Sequence, residues 1–138
     1  MANGEHPNVA LAREGMEAST RGDTQWYEEH LDENVSWHIG GNSAAAGTLQ
    51  GKQQVLQFFG QMGNGGGMRL DVHDVMATDD HTVVLGTAHL TAPDGDTIDY
   101  NFVNIFHIRD GKVTEAWGMT ENDAVTDAFF DKLARPTS

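Results

Sequence analysis

Apolar positions recur at helical spacing through the first sixty residues and then switch to a period of two. Val9, Leu11, Ala12 and Met16 lie mostly along one helical face, and Pro7 suits a first helical position, predicting a helix from Pro7 to about Arg21. Arg21-Gly22 ends it, and Asp23 is a good N-cap for a short helix over Thr24 to Leu31. Asn34 to Ile39 reads as a short strand and Gly40 to Gly51 as a small-residue loop. A third helix follows from about Lys52 to Met62, with Val55, Leu56, Phe58 and Phe59 on its buried side. Gly63-Asn64-Gly65-Gly66-Gly67 stops it and reads as a flexible connection, because it lacks the Gly-Lys-Ser/Thr ending of a phosphate loop.

The alternating stretches predict strands at Met68–Thr78, Thr82–Ala92, Thr97–Arg109 and Lys112–Glu121, with a terminal helix at Asn122–Leu133. Helices first and an antiparallel meander afterwards make an α+β domain. Three-residue turns at Pro93-Asp94-Gly95 and Arg109-Asp110-Gly111 set the register, under which Asn104 faces Val84 on one neighbour and Ala116 on the other. One face then carries Val84, Gly86, Ala88, Tyr100, Phe102, Asn104, Phe106, Ala116 and Gly118, large aromatics beside small residues that leave room for a ligand. The opposite face carries Val83, Leu85, Val103, Ile105, Trp117 and Met119, too apolar to leave in water.

Length and charge then narrow the possibilities. With 138 residues, 38% of them hydrophobic, the chain suffices for one core, read as a single domain over residues 1–138. Eight Lys and Arg against 21 Asp and Glu give a net charge of −13, the opposite of a nucleic-acid footprint and unsuited to anionic membranes. Cysteine is absent, which excludes disulfides, zinc-thiolate sites and thiol nucleophiles. Met1-Ala2-Asn3-Gly4-Glu5 lacks the basic and apolar regions of a signal peptide, and no apolar run approaches the roughly 20 residues of a membrane span, so a cytoplasmic location is expected. No His-x-His or His-Glu-x-x-His pair occurs among seven histidines, and His89 and His107 fall on the outer sheet face, so no metal or other cofactor is expected. There is no Gly-x-Ser-x-Gly elbow.

Four stretches carry a family resemblance: Arg21-Gly22-Asp23, Val35-Ser36-Trp37-His38, Gly47-Thr48-Leu49-Gln50-Gly51-Lys52, and the run from Val103 to Trp117. In order and spacing they resemble the nuclear transport factor two-like superfamily, and within it the SnoaL-like polyketide cyclase and ketosteroid isomerase relatives. The resemblance implies a conical α+β barrel, a curved, mostly antiparallel sheet wrapped around N-terminal helices with an apolar pocket. It transfers function poorly, because the superfamily spans isomerases, cyclases, dehydratases, hydrolases and non-catalytic proteins.

In the ketosteroid isomerases the resemblance places a general-base aspartate where His38 stands and a protonated oxyanion-hole acid where Asn104 stands. The oxyanion tyrosine falls near Gly15, a supporting tyrosine corresponds to Phe59, and the cyclases' acid after the last-strand tryptophan is replaced by Gly118. The pocket is kept and its chemistry changed. His38 is the acid/base candidate, since an imidazole exchanges protons near neutral pH, and Asn104 the neutral oxyanion donor. Their alternatives are a packed loop-capping histidine and a satisfied buried amide. Trp26, Tyr27, Trp37, Tyr100 and Phe102, with Phe59, Ala116 and Gly118, are the expected pocket lining, or else simple core. Asp123 reads as a helix N-terminal residue or a group at the pocket mouth.

Three functions remain open: a cofactor-independent isomerase, cyclase or dehydratase acting on a small apolar carbonyl compound, a ligand-binding protein without turnover, and a dimerisation module. His38 and Asn104 are expected to open onto one common cavity. The outer apolar face is expected to pair two copies of the chain, unless the terminal helix, with Val125, Phe129, Phe130 and Leu133, folds over it.

Overall fold

Pro7 opens the first helix as predicted, and the His6 ring accepts the Asn8 amide proton at 3.1 Å, supplying the N-terminal cap. The computed structural model describes residues 6–41, 47–64, 67–92, 94–121 and 123–134. The expectations for Met1 to Glu5, Gly65-Gly66, Pro93 and Asn122, and part of the Gly40–Gly51 loop, lie outside these residues.

Helix α1 (Pro7–Arg21) buries Val9, Ala12 and Met16, and ends at Gly22 in the left-handed conformation. Helix α2 (Gln25–His30) is one residue shorter at each end than expected. Asp23 still serves its first turn by accepting the Gln25 amide at 2.9 Å. Leu31 belongs to the strand that follows, where it is 1% exposed and paired with Val113. Strand β1 (Leu31–Ile39) therefore starts three residues earlier than the sequence pattern indicated, and an irregularity between Leu31 and Ser36 explains why alternation was visible only from Asn34. The expected small-residue loop contains strand β2 (Gly47–Gln50), paired antiparallel with β1.

Helix α3 (Lys52–Asn64) buries Val55 and packs Leu56 and Phe59 against the core. Strands β3 (Gly67–Ala77), β4 (Thr82–Thr91), β5 (Thr97–Arg109) and β6 (Lys112–Thr120) form the predicted antiparallel meander, followed by α4 (Asp123–Ala134). The sheet order is β2-β1-β6-β5-β4-β3, with β1 and β6 parallel. It is curved and unclosed, so the expected barrel is an open sheet with β2 and β3 at its edges.

The two faces divide as the alternation requires. Val84, Ala88, Phe102, Phe106 and Ala116 are buried on the concave face beneath the helices, whereas Val83, Leu85, Val103, Ile105 and Trp117 on the convex face stay partly exposed. A one-residue slip would turn each concave side chain outward, at about 1.5–3 kcal/mol for each large one, so the register is tightly held. Helix α4 sets Phe129 against Leu90, Ala92 and Tyr100 at the concave end and does not cover the convex face with it. Among the described residues no helix is long and apolar enough to cross a membrane. The side chains of Asp123, Val125, Phe130 and Leu133 lie outside the description.

The β5–β6 register differs from expectation by two residues. Asp110 (φ 53°) and Gly111 (φ 77°) make a two-residue turn closed by Arg109 opposite Lys112, and an irregularity follows between His107 and Ile108. Each shifts the pairing by one, so Asn104 lies opposite Gly118 and not Ala116. Two single shifts restore parity, and Asn104 keeps its predicted face.

Candidate functional site

The concave face, α1, α2, α3 and α4 together line a half-open cavity of about 120 Å³, space for one six-membered ring. Trp37, Tyr27, Phe59, Tyr100, Phe102 and Gly118 line it, as expected from the sequence. Tyr27 stacks on Phe59 at 4.8 Å, and Trp37 makes T-shaped contacts with both Phe59 and Phe106. Two expected lining residues lie elsewhere. Ala116 is completely buried in the sheet core between its neighbours Phe106 and Trp37. Trp26 packs against α1, where Gly15 lacks the side chain that its ring would strike: a Cβ there would lie 2.7 Å from the indole. The tryptophan thus takes up the space at the position that matches the ketosteroid isomerase tyrosine.

Asn104 faces the cavity. Its amide makes one hydrogen-bond contact among the described residues, a weak one from Nδ2 to the Met16 sulfur at 3.9 Å. Gly118 opposite leaves the amide oxygen clear, since even a methyl group added there would only touch it at 3.4 Å. The amide is therefore available to a ligand's oxygen or N–H.

Tyr27 supplies a second polar group that sequence reasoning treated only as aromatic lining. Its hydroxyl donates to the Ser19 hydroxyl, which in turn donates to the Gly15 carbonyl at 3.0 Å. Burial pushes the Tyr27 phenol up to about 12, partly offset by the Ser19 bond, and burial pushes Tyr100 up to about 12 as well. Both are neutral donors across the physiological range. The eight-residue spacing of Ser19 and Tyr27, split between two helices, left no sequence signal for the pair. Thr120 and Thr126, 3.1 Å apart, add hydroxyls where β6 gives way to α4. None of the described lining residues is Asp, Glu, His, Lys or Arg.

His38 is not in this cavity. On β1 the buried Val35 and Trp37 face the core, so the intervening Ser36 and the following His38 point to the convex side. There Nε2 donates to Glu115 at 2.7 Å, the Thr48 hydroxyl donates to Nδ1 at 2.8 Å, and the ring stacks on Trp117 at 5.3 Å. His107 approaches the other oxygen of Glu115 at 3.8 Å and meets Trp117 edge to face at 4.8 Å. Glu115 itself lies on the outer face, beside His38 and Trp117. The fold therefore separates the two catalytic candidates, placing Asn104 in the cavity and His38 behind the sheet. Among the described residues no group of three or more His, Asp or Glu is placed to hold a metal ion.

The SnoaL-like domain model matches residues 12–116. Among solved structures, Bal32a from a soil-derived mobile gene cassette is 26% identical, with 88% of this chain and 95% of that one covered at a TM-score of 0.81. A nuclear transport factor two-like protein of unknown function from Burkholderia pseudomallei is 23% identical, with coverages of 96% and 100% and a TM-score of 0.78. A candidate SnoaL-like polyketide cyclase from Jannaschia sp. CCS1 is 18% identical, with coverages of 96% and 98% and a TM-score of 0.75. The last two show likeness of fold. No curated protein matches the chain.

Proposed function

Because this chain belongs to the SnoaL-like domain family, we propose that its cavity binds the uncharged, ring-bearing part of a small apolar carbonyl compound, with the Asn104 amide donating to the carbonyl oxygen. One observation carries this reading: the described lining has no carboxylate, imidazole or cation, and the Asn104 amide in it has no oxygen or nitrogen partner among the described residues. Low-dielectric walls strengthen a single amide bond and penalise a charged guest, so the site selects neutral oxygen acceptors.

Family membership favours a second reading, cofactor-independent isomerisation, cyclisation or dehydration through an enol. A neutral donor such as the Asn104 amide is suited to a developing enolate oxygen. In that reading the base comes from the ligand, from water or from outside the described lining, and His38 has no part.

A titration of cyclic ketones and polyketide-like diketones, followed by tryptophan fluorescence and product analysis, tests both. Saturable binding that Asn104→Leu weakens about tenfold supports the site. Binding without product supports the first reading, and product formation supports the second. Failure of every neutral ring compound to bind removes both. For the convex face we propose a second copy of the chain as partner.

A further inference from the structure

A groove of about 480 Å³ runs between α1 and the edge strand β3, within the size range of small-molecule sites. Its floor is apolar, formed by Met16, Leu70 and Val72, and its rim carries Arg13, Arg21 and Glu17. Met16 and Leu70 are also walls of the ring-sized cavity, so the two spaces lie on either side of the same pair of side chains. Methionine, unbranched and adaptable, is a partition that a ligand can displace.

The charges on the rim run against the rest of the molecule. In a chain of net charge −13, this groove gathers two of the eight cationic residues against a single carboxylate. Arg13 has no carboxylate within ion-pair distance among the described residues. Arg21 meets Asp23 at only 3.5 Å, with both side chains well exposed. A guanidinium with open donors above an apolar floor matches a carboxylate at the end of an apolar body.

We propose that the groove is the second half of the ligand site and takes the carboxylate tail of an amphipathic acid whose uncharged ring occupies the cavity. This rests on the cavity reading above and adds the class of ligand: a ring ketone that carries a carboxylate on a short aliphatic spacer. The neutral lining accounts for the ring end, and Arg13, with Arg21 beside it, for the anionic end.

Calorimetric titration of the full chain with 4-(4-oxocyclohexyl)butanoate and with its neutral amide, 4-(4-oxocyclohexyl)butanamide, tests it, since the ring ketone offers Asn104 an acceptor in the cavity while only the acid offers Arg13 a carboxylate. The acid is expected to bind the wild type about tenfold more tightly than the amide, and Arg13→Gln to bring the two together. Arg13 is exposed, so this variant keeps the fold. Equal affinities in the wild type, or an advantage for the acid that survives Arg13→Gln, overturn the proposal while leaving the cavity reading intact if Asn104→Leu weakens the amide. An acid that needs Arg13 and is indifferent to Asn104→Leu overturns the joining of the two spaces. Neither probe binding at millimolar concentration overturns both readings.

Discussion

His38 donates to Glu115 at 2.7 Å across the parallel β1–β6 pair, on the sheet face opposite the cavity. With Nε2 as donor and Nδ1 as acceptor from Thr48, both ring nitrogens are engaged on the convex face. His38→Ala should therefore leave ligand affinity, and any turnover, within twofold of wild type, whereas Asn104→Leu weakens binding about tenfold. Parallel titrations of the two variants with one cyclic ketone decide it. A large loss in His38→Ala with Asn104→Leu unaffected would reverse the assignment.

The face of His38 was legible in the sequence, from a constraint that the family resemblance obscured. Trp37 and His38 are consecutive strand residues, and a period of two forbids both from entering one cavity. Once Trp37 is taken as a wall residue, His38 belongs outside. For β4, β5 and β6 the same alternation placed Val84, Phe102, Asn104 and Trp117 on their observed faces. What remained hidden depended on single-residue events. The irregularity near Thr114 moved Asn104 from Ala116 to Gly118, and the four residues of β2 are too few for a periodic signal. The Ser19–Tyr27 bond arises from how two helices pack, which no local pattern encodes.

Both tyrosines are held neutral by burial, with values pushed to about 12. A phenol whose folded value exceeds its unfolded value of 10 stabilises the fold fully below pH 10 and less as pH rises toward 12. The ultraviolet phenolate absorbance of the folded chain should stay flat through pH 10, and base-induced unfolding should release it. A reversible titration centred near 10 with the fold intact would show that one ring is solvated.

Gly15→Ala sets two effects in opposition. Alanine gains about 1 kcal/mol of helix propensity. Its methyl would also lie 2.7–2.9 Å from three ring carbons of Trp26, whose indole is stacked on His30 at 4.8 Å. Overpacking of this kind costs about 1–3 kcal/mol, so the expected net change is a loss of up to about 2 kcal/mol. Urea unfolding measures it, and a raised midpoint would mean that Trp26 moves aside freely.

His89 joins three strands through its ring. Nδ1 lies 2.6 Å from Asp99 on β5 and Nε2 lies 2.7 Å from Asp71 on β3. Both nitrogens must donate, so the cation fits best. The Asp99 bond first, and then the Asp71 bond, hold the imidazole above its usual 6.5, against the nearby Arg69. A raised value means that this contribution is complete below pH 6.5 and fades as pH climbs through the folded value. The gap in thermal midpoint between wild type and His89→Gln should be widest below pH 6.5 and narrow as the pH rises through the raised folded value. A gap independent of pH would assign His89 a packing role alone.

The convex face sets the final expectation. Val83, Leu85, Val103, Ile105 and Trp117 are only partly covered, and Met76 and Met119 are 52% and 41% exposed. An apolar surface of several hundred Å² is uncommon on an isolated protein. Helices α1 and α3 pack on the concave side, and Phe129 commits α4 to the same side at Leu90 and Ala92. A second copy related by a two-fold axis would cover the face, and a standard interface buries about 800 Å² on each partner. His38, Glu115 and His107 surround Trp117 with hydrogen-bonding groups, which suits a polar rim about an aromatic centre. Light scattering at micromolar concentration should give twice the chain mass, and Trp117→Lys, which sets a like charge against its symmetry mate, should return single chains. A single-chain mass in the wild type, unchanged by Trp117→Lys, would show that the face is satisfied without a partner.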